Sequence, residues 1–451
     1  MRASRATVLL TAALVSLTAL GPAAAVAPPE VVLGVTPEDR PPSPEVPMKQ
    51  DKGCLAAGVL PDTDLSQPPP PERALDLRRA RTLSRGAGVT VAVIDTGVSP
   101  NSRLPGLIGG GDYLQSGGDG LFDCDAHGTL VAGIIGAAAD PADGFVGVAP
   151  EARLVSIRYH SGAFSPDGIS NYDAVQQLST QVRTLARAIT HAANLGAGVI
   201  VIALPICYAA GLAVDQARMA EAVGDAVHNH NAVIVTGAGS AGGGCAQNPA
   251  IDPARPTDPR NWDGVQTIST PGWFDPEVLG VGFTTAAGEP VPDSLSGPWV
   301  SVAAPGAGIE SLGPGGGGVI NGVGAPDKLV AVGGTSFAAA YVGGVVALLR
   351  SRFPDESPAD IVTRLRASAH APARGLDNAV GAGMIDPLAA LGYRKPPQPP
   401  AGVNRGAVLP IPPRPLAKDW RPAVVALSVV LGGAVVTAAA RTVPGWLRGR
   451  R

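Results

Sequence analysis

Three residues in this chain could together perform acyl transfer. Asp95 lies in Val91-Ala92-Val93-Ile94-Asp95-Thr96-Gly97-Val98. His127 lies in Asp125-Ala126-His127-Gly128-Thr129-Leu130-Val131-Ala132-Gly133. Ser336 lies in Gly333-Gly334-Thr335-Ser336-Phe337-Ala338-Ala339-Ala340. A serine hydroxyl becomes a nucleophile when a neutral imidazole takes its proton, and the imidazolium so formed needs a buried carboxylate beside it. Singly, each residue has a commoner role: Asp after a strand as a turn former, Ser before a helix as an N-cap, a lone His as a structural group. Their occurrence in this order, each at the edge of an apolar element, favours the chemical reading. The chain has six histidines. His191, His228 and His230 fall on or at the ends of amphipathic helical stretches and read as solvated. His370 sits in an Ala-rich stretch.

The elements that would position these residues are legible as apolar runs. Val89 to Asp95 is a continuous run rich in β-branched residues, as expected for a strand buried on both faces of a parallel sheet. Leu154 to Ile157, Val199 to Leu204, Ala232 to Thr236 and Val278 to Phe283 repeat that pattern. Ala74 to Leu83, Val182 to Leu195 and Val214 to Asn229 read as helices. Strands alternating with helices predict an α/β domain over 73–393, with a mostly parallel central sheet flanked by helices. Gly128 to Ala139 and Ser336 to Leu349 are apolar all round and so predict buried helices. Each carries its reactive residue at the N-terminus, where free N–H groups and the positive dipole end favour developing negative charge.

The flanks differ in composition. Arg2 and Arg5 precede an apolar run from Ala6 to Leu20 and then Ala23-Ala24-Ala25-Val26-Ala27, the form of a secretory signal peptide over 1–25. Residues 26–72 are Pro-rich, without periodicity, and end in Pro68-Pro69-Pro70-Pro71, which predicts an extended or irregular stretch. Residues 394–420 form a second Pro-rich segment, a semi-rigid spacer. Pro422 to Ala440 has no charge and is bracketed by Arg421 and Arg441, which predicts a transmembrane helix over 421–441. The tail 442–451 carries Arg448, Arg450 and Arg451 and no acid, so it belongs on the cytoplasmic side with the domain outside.

A formal net charge of −3 offers no basic surface for nucleic acid. The four cysteines, Cys54, Cys124, Cys207 and Cys245, fit two disulfides in an exported chain, with three pairings open. No ligand spacing around them completes a metal site.

With Asp95-Thr96-Gly97, His127-Gly128-Thr129 and Gly334-Thr335-Ser336 in place, the body resembles a subtilase. The signal peptide, the Cys-bearing extension, the segment Asp123 to Gly133, the late cysteines and the C-terminal anchor make it more narrowly similar to the mycosins. These are membrane-anchored subtilases of type VII secretion systems. The resemblance implies a subtilisin-like fold and no cofactor. It implies that Asp95 orients the imidazole, His127 acts as base then acid, and Ser336 is the nucleophile. It implies the disulfides Cys54–Cys124 and Cys207–Cys245, with the extension wrapped around the body. Partners would be protein or peptide substrates and type VII membrane components. Substrate would lie along Ala203 and Leu204 and along Gly237, Ala238 and Gly239. An alternative role is that of a structural subunit of the secretion complex. Three departures from the subtilase pattern stand out: Ala126 in place of Gly before His127, Ala340 in place of Pro after the nucleophile, and Ser240 where the oxyanion-hole Asn belongs. Asn248 lies too far along to replace it without a rearranged loop. Of the oxyanion donors, the backbone N–H of Ser336 would remain.

Overall fold

The computed structural model describes residues 26–168, 173–394 and the isolated positions 431, 434 and 435. The chain divides into two units after Arg394, and the first holds every element named here. The expected signal peptide (1–25), the expected cytoplasmic tail (442–451) and nearly all of the expected spacer (394–420) and membrane span (421–441) lie outside the described residues. Among the described residues no helix is long and apolar enough to cross a membrane.

Seven strands form one parallel sheet: β1 (Thr90–Asp95), β2 (Leu107–Asp112), β3 (Arg153–Arg158), β4 (Val199–Ile202), β5 (Val233–Gly237), β6 (Val278–Thr284) and β7 (Val300–Pro305). Their order is β7-β6-β5-β4-β1-β3-β2. The chain first fills one side of β1, laying β2 at the edge and β3 between them, then crosses to the other side with β4. The carboxyl end of β1 therefore lies at a topological switch point, where open α/β sheets place their functional residues.

Helices cover both faces: α1 (His127–Gly136), α2 (Ala174–Asn194), α3 (Ala217–Gly224), α4 (Thr335–Arg352) and α5 (Pro358–Ser368). Side chains of β1 alternate between the faces, as the two-residue period of a strand requires. Val91 and Val93 pack with α1 and α4, while Ala92 and Ile94 pack with α2 and α3. Because both faces are covered, β1 has no polar alternation, and every residue from Val91 to Asp95 is buried.

The extension is an ordered strap. Met48–Gln50 pairs antiparallel with Phe164–Pro166, and Ala56–Gly58 adds a strand to the hairpin Gly322–Ala325/Lys328–Ala331. Glu45 accepts from Arg187 at 2.7 Å, and Asp39 pairs with His191 at 2.9 Å. His191 is thus a fastening point rather than merely solvated.

Several sequence expectations need correction. The helix expected over Ala74 to Leu83 is two short helices, Pro70–Ala74 and Leu77–Leu83, separated by Asp76 in left-handed backbone. Pro70 and Pro71 are not extended. They open the first of these helices, where a missing N–H costs nothing. The helix expected over Val214 to Asn229 begins at Ala217, and its last turn, Asp225–Asn229, widens to π geometry. Strand β2 gave no apolar run because it is glycine-rich and lies at the sheet edge.

Candidate active site

The site is built where β1, α1 and α4 converge. Asp95 ends β1 with its side chain fully buried. His127 is the first residue of α1 and Ser336 the second of α4. His127 Nδ1 lies 2.7 Å from Asp95 Oδ1, and His127 Nε2 lies 3.0 Å from Ser336 Oγ. Residues separated by 32 and 209 positions therefore meet in one hydrogen-bonded relay. The Ser336 hydroxyl does not cap its helix. The N-cap is Gly334, without a side-chain cap bond. The Phe337 ring packs at 5.2 Å from the imidazole and helps fix its plane.

A second layer that the sequence reading missed holds this relay in place. Asp123 is buried and accepts four hydrogen bonds. Thr96 Oγ1 and Asp125 N–H donate to its Oδ1 at 2.9 and 3.1 Å. Thr129 N–H and Oγ1 donate to its Oδ2 at 2.9 and 2.6 Å. Thr96 Oγ1 in turn accepts from Gly128 N–H at 2.9 Å. The residue after Asp95 is thereby tied to the residue after His127 through one carboxylate. Asp125 braces the same loop from outside, accepting from Ser161 Oγ and Gly162 N–H at 2.5 and 2.9 Å. The available signal was an acid four residues before the histidine, with a threonine in each flanking motif.

Burial and charge oppose each other at these groups. Burial acts to lower the His127 pKa. The Asp95 charge and hydrogen bond, with Asp123 and Asp125 farther off, together outweigh it and hold the imidazole above the ordinary histidine value. At Asp123 burial prevails over the donors from Thr129 and Thr96, and its pKa is raised to about 6.

Ala126 adopts left-handed backbone, φ 61°, immediately before His127. That conformation explains why glycine suits this position, and the methyl costs strain rather than nothing. Ala340 is fully buried within α4, which begins at Thr335 without a proline. Ser240 lies three residues past β5, exposed, in a bridge with Ser294. Asn248 is not a substitute donor. Its amide nitrogen donates to Thr267 O and Ser296 O at 2.9 and 2.8 Å, and its oxygen accepts from Gln266 and Thr267 N–H groups.

Of the expected substrate segments, Ala203 and Ala238 are buried in the core, and Leu204 is half-buried with its carbonyl accepting from the Tyr159 hydroxyl. Gly237 packs against Thr335, beside the nucleophile. Ala238 N–H donates to Val281 O, and Gly239 O accepts from Leu295 N–H. The 237–239 segment is thus already paired at two of its backbone groups. Both disulfides form with the pairing the resemblance implied, Cys54–Cys124 and Cys207–Cys245. Among the described residues no cluster of His, Cys, Asp or Glu could hold a metal ion.

A parallel α/β sheet whose switch point carries a carboxylate–imidazole–hydroxyl relay defines a serine peptidase of the subtilisin class. Comparison with known proteins agrees. The profile of the subtilase family, Peptidase S8, matches residues 86–383. Mycosin-3 of Mycobacterium tuberculosis is 46% identical over 435 residues, covering 93% of this chain and 93% of that protein. A crystal structure of MycP1 from Mycobacterium smegmatis matches with a TM-score of 0.79 at 45% identity, covering 83% of this chain and 97% of that one. A chain in the structure of the periplasmic assembly from the ESX-5 inner membrane complex matches with a TM-score of 0.79 at 45% identity, covering 86% and 100%. The chain belongs to the subtilase family and, within it, to the mycosins.

Proposed function

We propose that this chain is the membrane-anchored serine endopeptidase of a type VII secretion system, with its peptidase domain (73–393) outside the cytoplasmic membrane. Ser336 Oγ attacks the scissile carbonyl while His127 Nε2 takes its proton. Asp95 holds the Nδ1 proton and stabilises the imidazolium. His127 then protonates the departing amine, and water hydrolyses the acyl-enzyme on Ser336 by the reverse route. The Ser336 backbone N–H and Ser240 face the oxyanion. A serine hydroxyl reaches less far than an asparagine amide, so turnover is slow. Half-buried Leu204 lines the substrate cleft, with Ala203 and the buried segment Gly237, Ala238 and Gly239 behind it.

The observation that carries this reading is the pair of contacts at 2.7 and 3.0 Å on the two nitrogens of one imidazole. The assignment to secretion rests on likeness to mycosins and to the chain in the ESX-5 assembly. Removal of 1–25, a wrapping extension (26–72), a spacer (394–420), a span (421–441) and a cytoplasmic tail (442–451) complete the proposal. The test is labelling by a fluorophosphonate probe. The wild type labels and Ser336→Ala does not; an unlabelled wild type overturns the proposal.

One observation favours a second role, as a structural subunit: a similar chain sits in a solved inner membrane complex. Secretion that survives Ser336→Ala but fails when the whole chain is deleted would assign the main role to scaffolding.

A further inference from the structure

The segment after β1 and the segment around His127 meet on one side chain, Asp123, that is not itself part of the relay. Asp123 is 6% exposed. Its Oδ1 accepts from Thr96 Oγ1 and Asp125 N–H, and its Oδ2 accepts from Thr129 N–H and Oγ1. Two of these partners are backbone N–H groups, which can only donate. The other two are hydroxyls whose oxygens already accept from backbone N–H groups: Thr96 Oγ1 from Gly128 at 2.9 Å and Thr129 Oγ1 from Ser99 at 3.0 Å. Each hydroxyl therefore turns its own hydrogen to Asp123. An ionised carboxyl offers about four acceptor sites and no hydrogen, so it satisfies all four donors at once. A protonated carboxyl brings a hydrogen of its own, and one of the four donors then loses its acceptor.

These donors hold both halves of the relay. Thr96 and Ser99 follow Asp95 on one segment, and Asp125, Gly128 and Thr129 flank His127 on the other. The charged groups around Asp123 leave it to its donors. Asp95 and His127 are bonded to each other. Asp125 is turned to Ser161 and Gly162. Arg158, at the end of β3, is bonded to Asp112, and Lys52 on the strap donates to Gly162 O at 3.2 Å. The hydrogen bonds to Asp123 thus come from neutral groups alone. Burial raises its carboxyl to about 6, so its proton returns just below neutrality.

We propose that Asp123 is a positioning residue: its ionised carboxyl latches the segment that carries Asp95 to the segment that carries His127, and the relay works only while that latch is closed. The inference rests on Ser336 being the nucleophile. Two protons must then leave the free enzyme before it acts, one from His127 and one from Asp123. Acyl transfer by itself needs only the first, since its requirement is a neutral base. The second is a demand of this fold. The raised carboxyl makes the folded state the better proton binder between the unfolded value of about 4 and about 6. Proton uptake by Asp123 therefore adds stability as pH falls through that window, while the rate falls. The two opposite senses separate opening of the latch from acid unfolding.

The test is the second-order rate of fluorophosphonate labelling of the full chain from about pH 4.5 to about pH 8.5, with tryptophan fluorescence recorded at each pH. We expect the logarithm of the rate to fall with a slope of one through the His127 titration and to steepen to two below about pH 6, the fluorescence staying native. Asp123→Asn keeps the volume but brings hydrogens into a ring of donors. It should slow labelling about 10- to 100-fold at about pH 8 and hold the slope at one. Thr96→Val removes one donor and should move the steep part to higher pH; Thr96→Ser keeps the hydroxyl and should restore the wild-type profile. The Thr96 pair carries the test if Asp123→Asn does not fold. A wild-type slope that stays at one, a slope of two retained by Asp123→Asn, or a Thr96→Val profile identical to wild type overturns this inference alone. A slope of two that tracks loss of native fluorescence assigns the second proton to unfolding and also overturns it. Failure of the wild type to label at any pH overturns the nucleophile itself, and the inference with it.

Discussion

Gly128 sets the gap between base and carboxylate, and the gap can be tested by filling it. A Cβ at residue 128 would lie 2.0 Å from Gly97 O and 3.2 Å from Asp95 Cβ. Real Cβ atoms do not approach backbone below 3.0 Å. Gly128→Ala must therefore push the first turn of α1 away from Gly97 by about 1 Å, because a close-packed interior has no slack to absorb the methyl. That turn carries His127, whose contacts at 2.7 and 3.0 Å both open. The Gly128 N–H bond to Thr96 Oγ1 lengthens with them. A misplacement of about 1 Å costs roughly 100-fold in rate. Overpacking of one methyl costs about 1–3 kcal/mol, less than the stability of a typical domain. The expected result is fluorophosphonate labelling slowed about 100-fold in a protein whose thermal midpoint falls by only several degrees. A folded variant that labels within about threefold of wild type would refute the reasoning, since the close approach would then not set the relay geometry.

Three further outcomes follow from the same site. Ser240→Asn should raise peptide turnover by about 10²–10³, the usual worth of one oxyanion donor, and an unchanged or lower rate counts against the weakened hole. The base must be neutral to act, so kcat/KM should rise with pH through a midpoint above the ordinary histidine value of 6.5. The raised folded value makes the stability from the His127–Asp95 pair complete below the unfolded histidine pKa and lost as pH rises through the folded one, opposite in sense to the rate. A rate midpoint below 6.5 would contradict the charge arrangement. Ala126→Gly relieves left-handed strain of about 1–2 kcal/mol against about 0.5–1 kcal/mol of added chain entropy, so urea denaturation should show a net gain of about 0.5–1 kcal/mol. A loss would show that the strain at φ 61° is absorbed elsewhere.

What could be read in advance divides along physical lines. β1, β4, β5 and β6 were legible because a strand covered on both faces must be continuously apolar, and Val91 to Ile94 or Val199 to Ile202 can be little else. α1 and α4 were legible for the same reason. β2 was not, because Gly109, Gly110 and Gly111 carry no hydropathy signal and its edge position leaves Ile108 exposed. Asp95, His127 and Ser336 were legible because their chemistry constrains type, order and neighbours together. Asp123 was not, since a carboxylate that accepts only from Thr96, Thr129 and the backbone leaves no mark beyond its own letter. The Pro-rich extension misled through its composition. Prolines at the first positions of a helix continue into it, and a strap can be ordered by what it binds rather than by its own periodicity.

That strap touches both halves of the relay. On one side it is bonded to Cys124 by a disulfide and by the Leu55 N–H, three residues before His127. On the other, Ala56–Gly58 pairs with Gly322–Ala325, and Asn321 joins them: its side chain accepts from Leu60 N–H at 2.8 Å and donates to Thr63 Oγ1 at 2.8 Å. Asn321 O then holds Val332, four residues before Ser336. Base and nucleophile come from segments 209 positions apart, and α1 and α4 pack directly on each other. The extension adds a second connection between them, outside the core. The contacts of residues 54–63 brace the loop of the base against the hairpin that leads to the nucleophile.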